Sequence, residues 1–232
     1  MKNTKTASST CSENLREKTI RAKVKPCAST APKVILCDLG NVLINFDHRI
    51  AVKRLLPYSK KSFHDIYQLI FDSKLTKDYE EGRISSREFF KRLSGCLALR
   101  KMPYKKFVSI WNEIFFDNKG MPELLSALKK KYRLYLVSNI NELHYLYILE
   151  KFPRHLRLFD KVILSCRVGK RKPAPEIYLQ AIEAAGVDAR FALYTDDRPD
   201  LIDAAKKIGI PSVLFKGVKD FRAKLKKLKV LP

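Results

Sequence analysis

The 232-residue sequence lacks any long hydrophobic run, and its longest clean runs, such as Val34–Cys37, have only the length of a β-strand. A membrane-spanning helix needs about 20 consecutive apolar residues. The first residues include Lys2 and Lys5 but no apolar stretch, so no secretory signal is expected. The sequence therefore predicts no membrane span and excludes an integral membrane protein built on helices.

Paired cysteines are also lacking. The five cysteines are scattered, none belongs to a C-x-x-C motif, and they stand at positions 11, 27, 37, 96 and 166. The pattern favours neither a zinc site nor a disulfide framework. Such cysteine usage is typical of a reducing compartment, so we expect a cytoplasmic protein.

Acidic residues are few, with 24 Asp and Glu against 47 Lys and Arg, which gives a formal net charge of +23. A basic field favours anionic partners such as phosphorylated metabolites and nucleic acid. However, no RNP-like or zinc-finger motif accompanies the charge, and the lysines are spread over many segments. Composition alone therefore indicates no more than non-specific contact with anions or nucleic acid through a basic surface, and a general basic bias is the simpler explanation.

The composition and hydrophobic pattern of the sequence change twice along the chain. Residues 1–32 are rich in Ser, Thr, Lys and Ala without a hydrophobic period, which predicts a disordered basic arm. From about 48 to 118 the pattern is helical and aromatic, and Ser85–Glu88 fits a capping box at a helix start. The spacing of Phe107, Trp111 and Phe115 predicts one buried face of a helix rather than a cofactor-stacking site.

After Gly120, short apolar runs alternate with helical patterns. The pattern predicts strands at 34–37, 134–137, 162–164, 191–194 and 212–215, with helices at 122–129 and 175–185 and from 198 towards Gly209. This alternation is typical of an α/β protein with a doubly wound parallel sheet, a Rossmann-like core. We therefore predict a core of residues 33–46 and 119–232, with residues 47–118 as an inserted all-helical domain.

Chemically active residues stand just beyond the predicted strands, where ligands bind in such sheets. They are Asp38, Ser138, Asn139, Lys172, Asp196 and Asp197. Carboxylates are suitable ligands for Mg²⁺. A metal and a lysine offset the charge of a phosphate, and a carboxylate can then attack phosphorus to form an aspartyl-phosphate.

Four segments resemble the four motifs of the haloacid dehalogenase-like superfamily in the right order. They are Val34–Leu43 (VILCDLGNVL), Leu136–Asn139 (LVSN), Lys172-Pro173, and Asp196-Asp197 followed by a helix. The motif sequences most resemble those of the branch of sugar-phosphate phosphatases that includes α-glucose-1-phosphate phosphatase. Members share DLGNV, the pattern SNxNxxH (here Ser138–His144) and the pattern KPxPxIY (here Lys172–Tyr178). The insertion resembles that branch's helical cap through Glu81–Ser85 and Phe89.

The resemblance implies a Mg²⁺-dependent phosphatase that hydrolyses a small phosphorylated metabolite through an aspartyl-phosphate. It assigns roles to seven residues. Asp38 is the nucleophile and a metal ligand, the Gly40 carbonyl and Asp197 complete the protein ligands, and Asp196 orients the metal's water shell. Ser138 and the following amide of Asn139 bind phosphate, and Lys172 neutralises it. His144 is expected to pack rather than to catalyse, and His48, His64 and His155 are interpreted as structural.

Two positions depart from the superfamily pattern. Gly40 stands where most phosphatases of the superfamily have a second Asp as general acid and base, and Leu201 stands where relatives often have Asn or Asp. Two other interpretations stay open. One is a 2-haloacid dehalogenase, whose chemistry needs no metal, and the other is a catalytically weak binding protein with a basic surface.

Overall fold

Seven short strands form in the computed structural model, which describes residues 31–71 and 73–232. They are β1 (Val34–Cys37), β2 (Ile44–Phe46), β3 (Phe115–Asp117), β4 (Arg133–Ser138), β5 (Lys161–Leu164), β6 (Ala192–Asp196) and β7 (Ser212–Leu214). Five of them form one parallel sheet in the order β5-β4-β1-β6-β7. The predicted arm, residues 1–32, lies outside the described residues except for Ala31 and Pro32.

Helices connect the strands. They are α1 (His48–Leu55), α2 (Phe63–Phe71), α3 (Lys74–Glu80), α4 (Ser86–Leu97), α5 (Tyr104–Asn112), α6 (Met121–Lys129), α7 (Glu142–Lys151), α8 (Pro153–Leu156), α9 (Ser165–Val168), α10 (Pro175–Ala185), α11 (Pro199–Lys207) and α12 (Val218–Lys227), with 3₁₀ turns at Leu56–Tyr58 and Ala189–Phe191. No helix in the described ranges is both long and apolar enough to cross a bilayer.

The central strand β1 is buried because both faces of the sheet are covered. Ile35 and Cys37 pack in the cluster that includes α6, α7 and α12, while Val34 and Leu36 pack against α10 and α11. Alternate residues of one strand therefore enter two different cores, which explains the unbroken apolar run VILC. The predicted doubly wound parallel sheet is confirmed.

Helices α1–α5 follow β2 in the chain and precede β3. Their side chains form a hydrophobic cluster of their own. Phe89 lies at its centre, with ring centroids 4.4 Å from Tyr79 and 4.9 Å from Trp111. The predicted helix start is confirmed, since the Ser85 side chain accepts a hydrogen bond from the Glu88 amide at 3.2 Å, while the Glu88 side chain accepts from Arg92. The exact division into core and cap stays a prediction.

Two details of the insertion were predicted wrongly. Helix α5 ends at Asn112, so Phe115 does not continue the helical face of Phe107 and Trp111. Phe115 instead begins β3, which pairs antiparallel with β2 and places Phe115 opposite Phe46. Residues 47–118 are therefore not entirely helical, because a strand contact distant in sequence overrides a local spacing that fits a helix.

Candidate active site

The carboxyl ends of three neighbouring strands bring the predicted acids together. Cys37 of β1 is in register with Leu136 of β4 and Thr195 of β6. The residues that follow are therefore adjacent, and Asp38 emerges beside Ser138 and Asp196. All three are at least 93% buried, so the site lies at the edge of the sheet rather than on an open surface.

Lys172 is the cation of the site, and its ammonium group is buried among three partners. It donates to Asp38 Oδ1 at 2.6 Å, to Asp196 Oδ2 at 2.7 Å and to the Tyr194 hydroxyl at 3.0 Å. Burial alone disfavours the charged ammonium, but the two carboxylates outweigh it and hold the pKa of Lys172 above its usual value. The lysine is therefore a fixed positive charge at the predicted nucleophile.

Asn139 holds the backbone of Lys172 in place. Its side-chain amide donates to the Lys172 carbonyl at 2.9 Å, and its side-chain oxygen accepts from the Lys172 amide at 2.7 Å. This pair of bonds ties the end of β4 to the loop before α10. The Asn139 side chain thus positions the lysine, while contact of Ser138 and Asn139 with a substrate stays a prediction.

Three carboxylates form a group that fits a divalent cation. Asp38, Asp196 and Asp197 each offer an oxygen, and these oxygens lie within 4.8 Å of one another. Burial raises the pKa of Asp38 to about 7, with Asp196 adding to the effect and Lys172 opposing it. Burial and Asp196 also raise the pKa of Asp197. A cluster of carboxylate oxygens whose negative charge is only partly offset by Lys172 is the kind of ligand set that binds Mg²⁺.

Tyr194 belongs to the site but was not predicted from the sequence. It stands two residues before Asp196 on β6, so both side chains point to the same face. Its hydroxyl donates to Asp196 Oδ2 and accepts from Lys172. Residues i and i+2 of a strand face the same side, so the position of Tyr194 two residues before Asp196 was the signal that could have identified it.

Leu201, which replaces the expected Asn or Asp, is buried, and its backbone carbonyl accepts a hydrogen bond from the Tyr178 hydroxyl.

Phe46 covers Gly40, the position where the superfamily resemblance leads us to expect an aspartate as general acid. A Cβ atom added to Gly40 would lie 2.6 Å from Cε1 of the Phe46 ring, closer than carbon atoms can approach. An aspartate at this position therefore needs the ring to move. The glycine and the phenylalanine fit each other, and this fit was not visible in the sequence because it depends on the β2–β3 pairing.

A cavity of about 800 Å³ opens over these groups. The core contributes the residues described above, and further lining side chains include Phe46, His48, Arg49, Tyr67, Phe71, Glu80, Phe116, Arg171 and Arg198. His48 was interpreted as structural, but it lines the cavity, and burial lowers its pKa to about 4, so it is neutral at pH 7. His144 packs as expected, buried and bonded to the Trp111 carbonyl at 3.0 Å.

Glu80 and Arg171 form an ion pair inside this cavity, with 2.9 Å between Oε2 and NH2. Glu80 ends α3 of the insertion, and Arg171 immediately precedes Lys172. Burial raises the pKa of Glu80, although Arg171 opposes the shift. Neither residue was predicted, because Glu80 becomes part of the cavity only when the insertion packs over the sheet.

Comparison with known proteins places the chain in a family. Residues 32–209 match the haloacid dehalogenase-like hydrolases, and the chain belongs to that family. D-ribitol-5-phosphate phosphatase of Bacteroides thetaiotaomicron is 27% identical over 200 residues, which cover 83% of this chain and 96% of that protein. Glyceraldehyde 3-phosphate phosphatase of Pyrococcus abyssi is 34% identical over 207 residues, covering 79% of this chain and 81% of that protein.

Solved structures agree with this assignment. A HAD family enzyme from Bacteroides thetaiotaomicron, crystallised with magnesium and inorganic phosphate, superimposes with a TM-score of 0.75 at 26% identity. The match covers 84% of this chain and 99% of that structure. The superfamily, the hydrolase class and the fold predicted from the sequence are confirmed. Contact with nucleic acid and a cytoplasmic location stay predictions.

Proposed function

We propose that the protein is a Mg²⁺-dependent phosphatase that hydrolyses a small phosphate monoester, with a sugar or polyol phosphate favoured. The observation that carries this proposal is the contact of one buried lysine with two members of a three-carboxylate cluster. Relatives named as phosphatases of ribitol 5-phosphate and glyceraldehyde 3-phosphate support the substrate class.

The geometry supports nucleophilic catalysis by Asp38. A carboxylate oxygen attacks phosphorus, the P–O bond to the leaving group breaks, and an aspartyl-phosphate remains. Water then attacks this phosphorus, which releases inorganic phosphate and restores Asp38. Lys172 supplies a fixed positive charge beside the attacking oxygen. Asp38, Asp197 and the Gly40 carbonyl would hold Mg²⁺, which when bound offsets the negative charge of the phosphoryl group.

The two other interpretations predict different behaviour. A 2-haloacid dehalogenase needs no divalent cation, and the carboxylate cluster argues against it because the buried Asp196 and the partly buried Asp197 would only add repulsion beside Asp38. A weak binding protein would not need a nucleophile bonded to a buried lysine. Phosphate release from ribitol 5-phosphate with Mg²⁺, and its loss with EDTA, tests the proposal. Chloride release from 2-chloropropionate without Mg²⁺ would support the dehalogenase instead.

The glycine at position 40 predicts a strong dependence on the leaving group. A general acid contributes roughly 10²–10⁴-fold, and Gly40 cannot supply a proton. We expect kcat to rise steeply as the pKa of the leaving group falls, so that aryl, acyl and anomeric phosphates are hydrolysed faster than simple alkyl phosphates. A series of phosphate monoesters with graded leaving groups measures this slope. A flat series would mean that another group, such as Glu80, donates the proton.

The matched variants for this experiment follow from the Phe46 ring. Gly40→Asp alone is expected to lower the melting temperature, because the new Cβ meets Phe46 at 2.6 Å. Gly40→Asp combined with Phe46→Ala relieves the contact and is expected to flatten the leaving-group slope. Phe46→Ala alone is the control, since it removes the ring without adding an acid.

Magnesium binding is expected to depend on pH. The pKa of Asp38 is raised to about 7 in the metal-free protein, so below this pH the site holds a proton that Mg²⁺ must displace. Displacing one proton makes the affinity rise about tenfold per pH unit below 7 and level off above it. Titration calorimetry from pH 5.5 to 8.5, in buffers of different ionisation enthalpy, measures affinity and proton release. A pH-independent affinity would contradict the expectation.

A further inference from the structure

Helix α2 carries an aromatic face that the proposed sugar-phosphate substrate does not explain. Ile66 and Ile70 are fully buried in the core of the insertion. The other face presents Phe63, Tyr67 and Phe71 at intervals of four residues, with ring centroids 6.3 Å and 5.4 Å apart in nearly parallel stacks. Phe63 is 37% exposed and Phe71 is 50% exposed. Phe63 and Phe71 therefore lie largely outside the core, while Tyr67 is partly buried against it.

The aromatic face continues to the nucleophile without a break. The Phe71 ring lies 5.6 Å from His48, and His48 lies 4.9 Å from Phe46. Phe46 in turn covers Gly40, two residues after Asp38. We call Phe46, His48, Phe71 and Tyr67 the ring wall, and all four line the cavity that contains Asp38 and Lys172. The wall connects the phosphate end of the cavity to its outer part.

The size of the cavity and its uncharged ring wall both fit a substrate larger than a sugar phosphate. Its volume of about 800 Å³ lies in the upper range of pockets that bind drug-sized ligands, and a bare sugar phosphate is smaller than these. Apart from the ring wall, the lining carries charges of both signs, and Arg49, Arg171 and Arg198 are paired with Asp47, Glu80 and Asp200. His48 is neutral near pH 7, so the wall itself presents flat, uncharged surfaces. Such surfaces bind planar ring systems by stacking.

We propose that, among phosphate monoesters of primary alcohols, the preferred substrate is a ribityl or ribosyl 5-phosphate that carries a planar heterocycle, as in a flavin mononucleotide or a nucleoside monophosphate. The phosphate reaches Asp38 and Lys172, the sugar or polyol chain crosses Phe46 and His48, and the heterocycle stacks on Phe71 and Tyr67. The inference rests on the proposed phosphatase function and specifies its substrate class.

Matched pairs of substrates test the contribution of the ring. Flavin mononucleotide is ribitol 5-phosphate with an added heterocycle, and adenosine 5′-monophosphate is related in the same way to ribose 5-phosphate. For at least one pair, we expect the wild type to favour the ring-bearing ester at least tenfold in kcat/KM. In Tyr67→Ala/Phe71→Ala this ratio is expected to fall at least tenfold, mainly through KM. Phe63→Ala is the matched control, because Phe63 shares the helix face but does not line the described cavity, and it should preserve the ratio.

Binding without turnover separates this proposal from the phosphatase proposal. Flavin mononucleotide is titrated with Mg²⁺ into Asp38→Asn, and quenching of flavin fluorescence reports stacking on the wall. Quenching that weakens at least tenfold in Asp38→Asn/Tyr67→Ala/Phe71→Ala supports the ring site even if no ester is hydrolysed. Equal kcat/KM within both wild-type pairs, or an equal loss for both members in the double variant, would overturn the ring site and leave the phosphatase intact. Neither quenching nor hydrolysis of any ester would overturn both proposals.

Discussion

Asp38→Asn is expected to abolish phosphate release, with kcat reduced on the order of 10⁴-fold or more. An amide nitrogen or oxygen does not attack phosphorus as a carboxylate does, so no aspartyl-phosphate forms. The substitution also removes one of the three carboxylates that fit the metal. The loss should appear for every leaving group, because the substitution removes the nucleophile that forms the new bond. It does not remove a group that assists departure of the leaving group.

Folding should survive this substitution, which makes the loss of activity interpretable. Burial and the neighbouring Asp196 already disfavour the charged form of Asp38. Replacing it with a neutral side chain of the same shape relieves that repulsion but weakens the bond to Lys172. We expect a melting temperature within a few degrees of the wild type. Differential scanning calorimetry and a phosphate-release assay on the same preparation measure both effects.

A conservative control substitution lies elsewhere on the core. Asp203→Asn on α11 makes the same chemical change on a side chain that is 68% exposed and 4.0 Å from Lys206, and it should retain full activity. Beryllofluoride with Mg²⁺ should bind at Asp38 in the wild type and not in Asp38→Asn. Turnover by Asp38→Asn, free of contaminating phosphatase, would exclude Asp38 as the nucleophile.

The parallel sheet was predictable from sequence because its strands are short apolar runs between helical patterns. The run VILC needs no partner information, since a central strand covered on both faces is apolar at every position. The small sheet of Ile44–Phe46 and Phe115–Asp117 was not predictable in the same way. Its strands are three residues long and about 70 positions apart, and Phe115 also fits the spacing of the preceding helix.

The residues of the candidate site likewise fall into those that were predictable from the sequence and those that were not. Ser138 and Asp196 end strands and Asp38 and Asp197 directly follow them, so the topology of the sheet brings these residues together once the strands are identified. Side chains of the insertion, such as Phe71 and Glu80, enter the cavity through the packing of helices and loops, and local sequence patterns carry no information on that packing. The chemistry of the reaction was therefore predictable, while the surface that selects the substrate required the structure.

Lys172→Met is expected to lower kcat on the order of 10³-fold, because it removes an electrostatic stabiliser of the transition state, and also to destabilise the fold. The ammonium group is the shared partner of Asp38 and Asp196. Methionine fills similar volume but leaves two buried carboxylates facing each other without a cation. Removing one partner from a buried ion pair costs about 3–5 kcal/mol of unfolding free energy. Chemical denaturation and a phosphate-release assay measure the two losses separately.

The pH dependence distinguishes this electrostatic cause from a packing defect. Without Lys172, the pKa of Asp38 should rise further, because the lysine is the contribution that lowers it. Protonation then removes the repulsion, so the stability difference between Lys172→Met and the wild type should shrink as the pH falls. A packing defect would give a difference that does not change with pH.

Two further variants separate the charge of Lys172 from its contribution to stability. Lys170→Met removes a lysine two residues away that is 49% exposed and 3.7 Å from Glu176, and it should leave stability and activity near those of the wild type. Adding Asp196→Asn to Lys172→Met removes one of the two unpaired charges while keeping an oxygen that Tyr194 can bond. We expect this double variant to regain part of the lost stability but none of the activity, because the positive charge beside Asp38 is still missing. Recovery of activity together with stability would show that Lys172 only supports the fold, and that phosphate transfer to Asp38 does not require its charge.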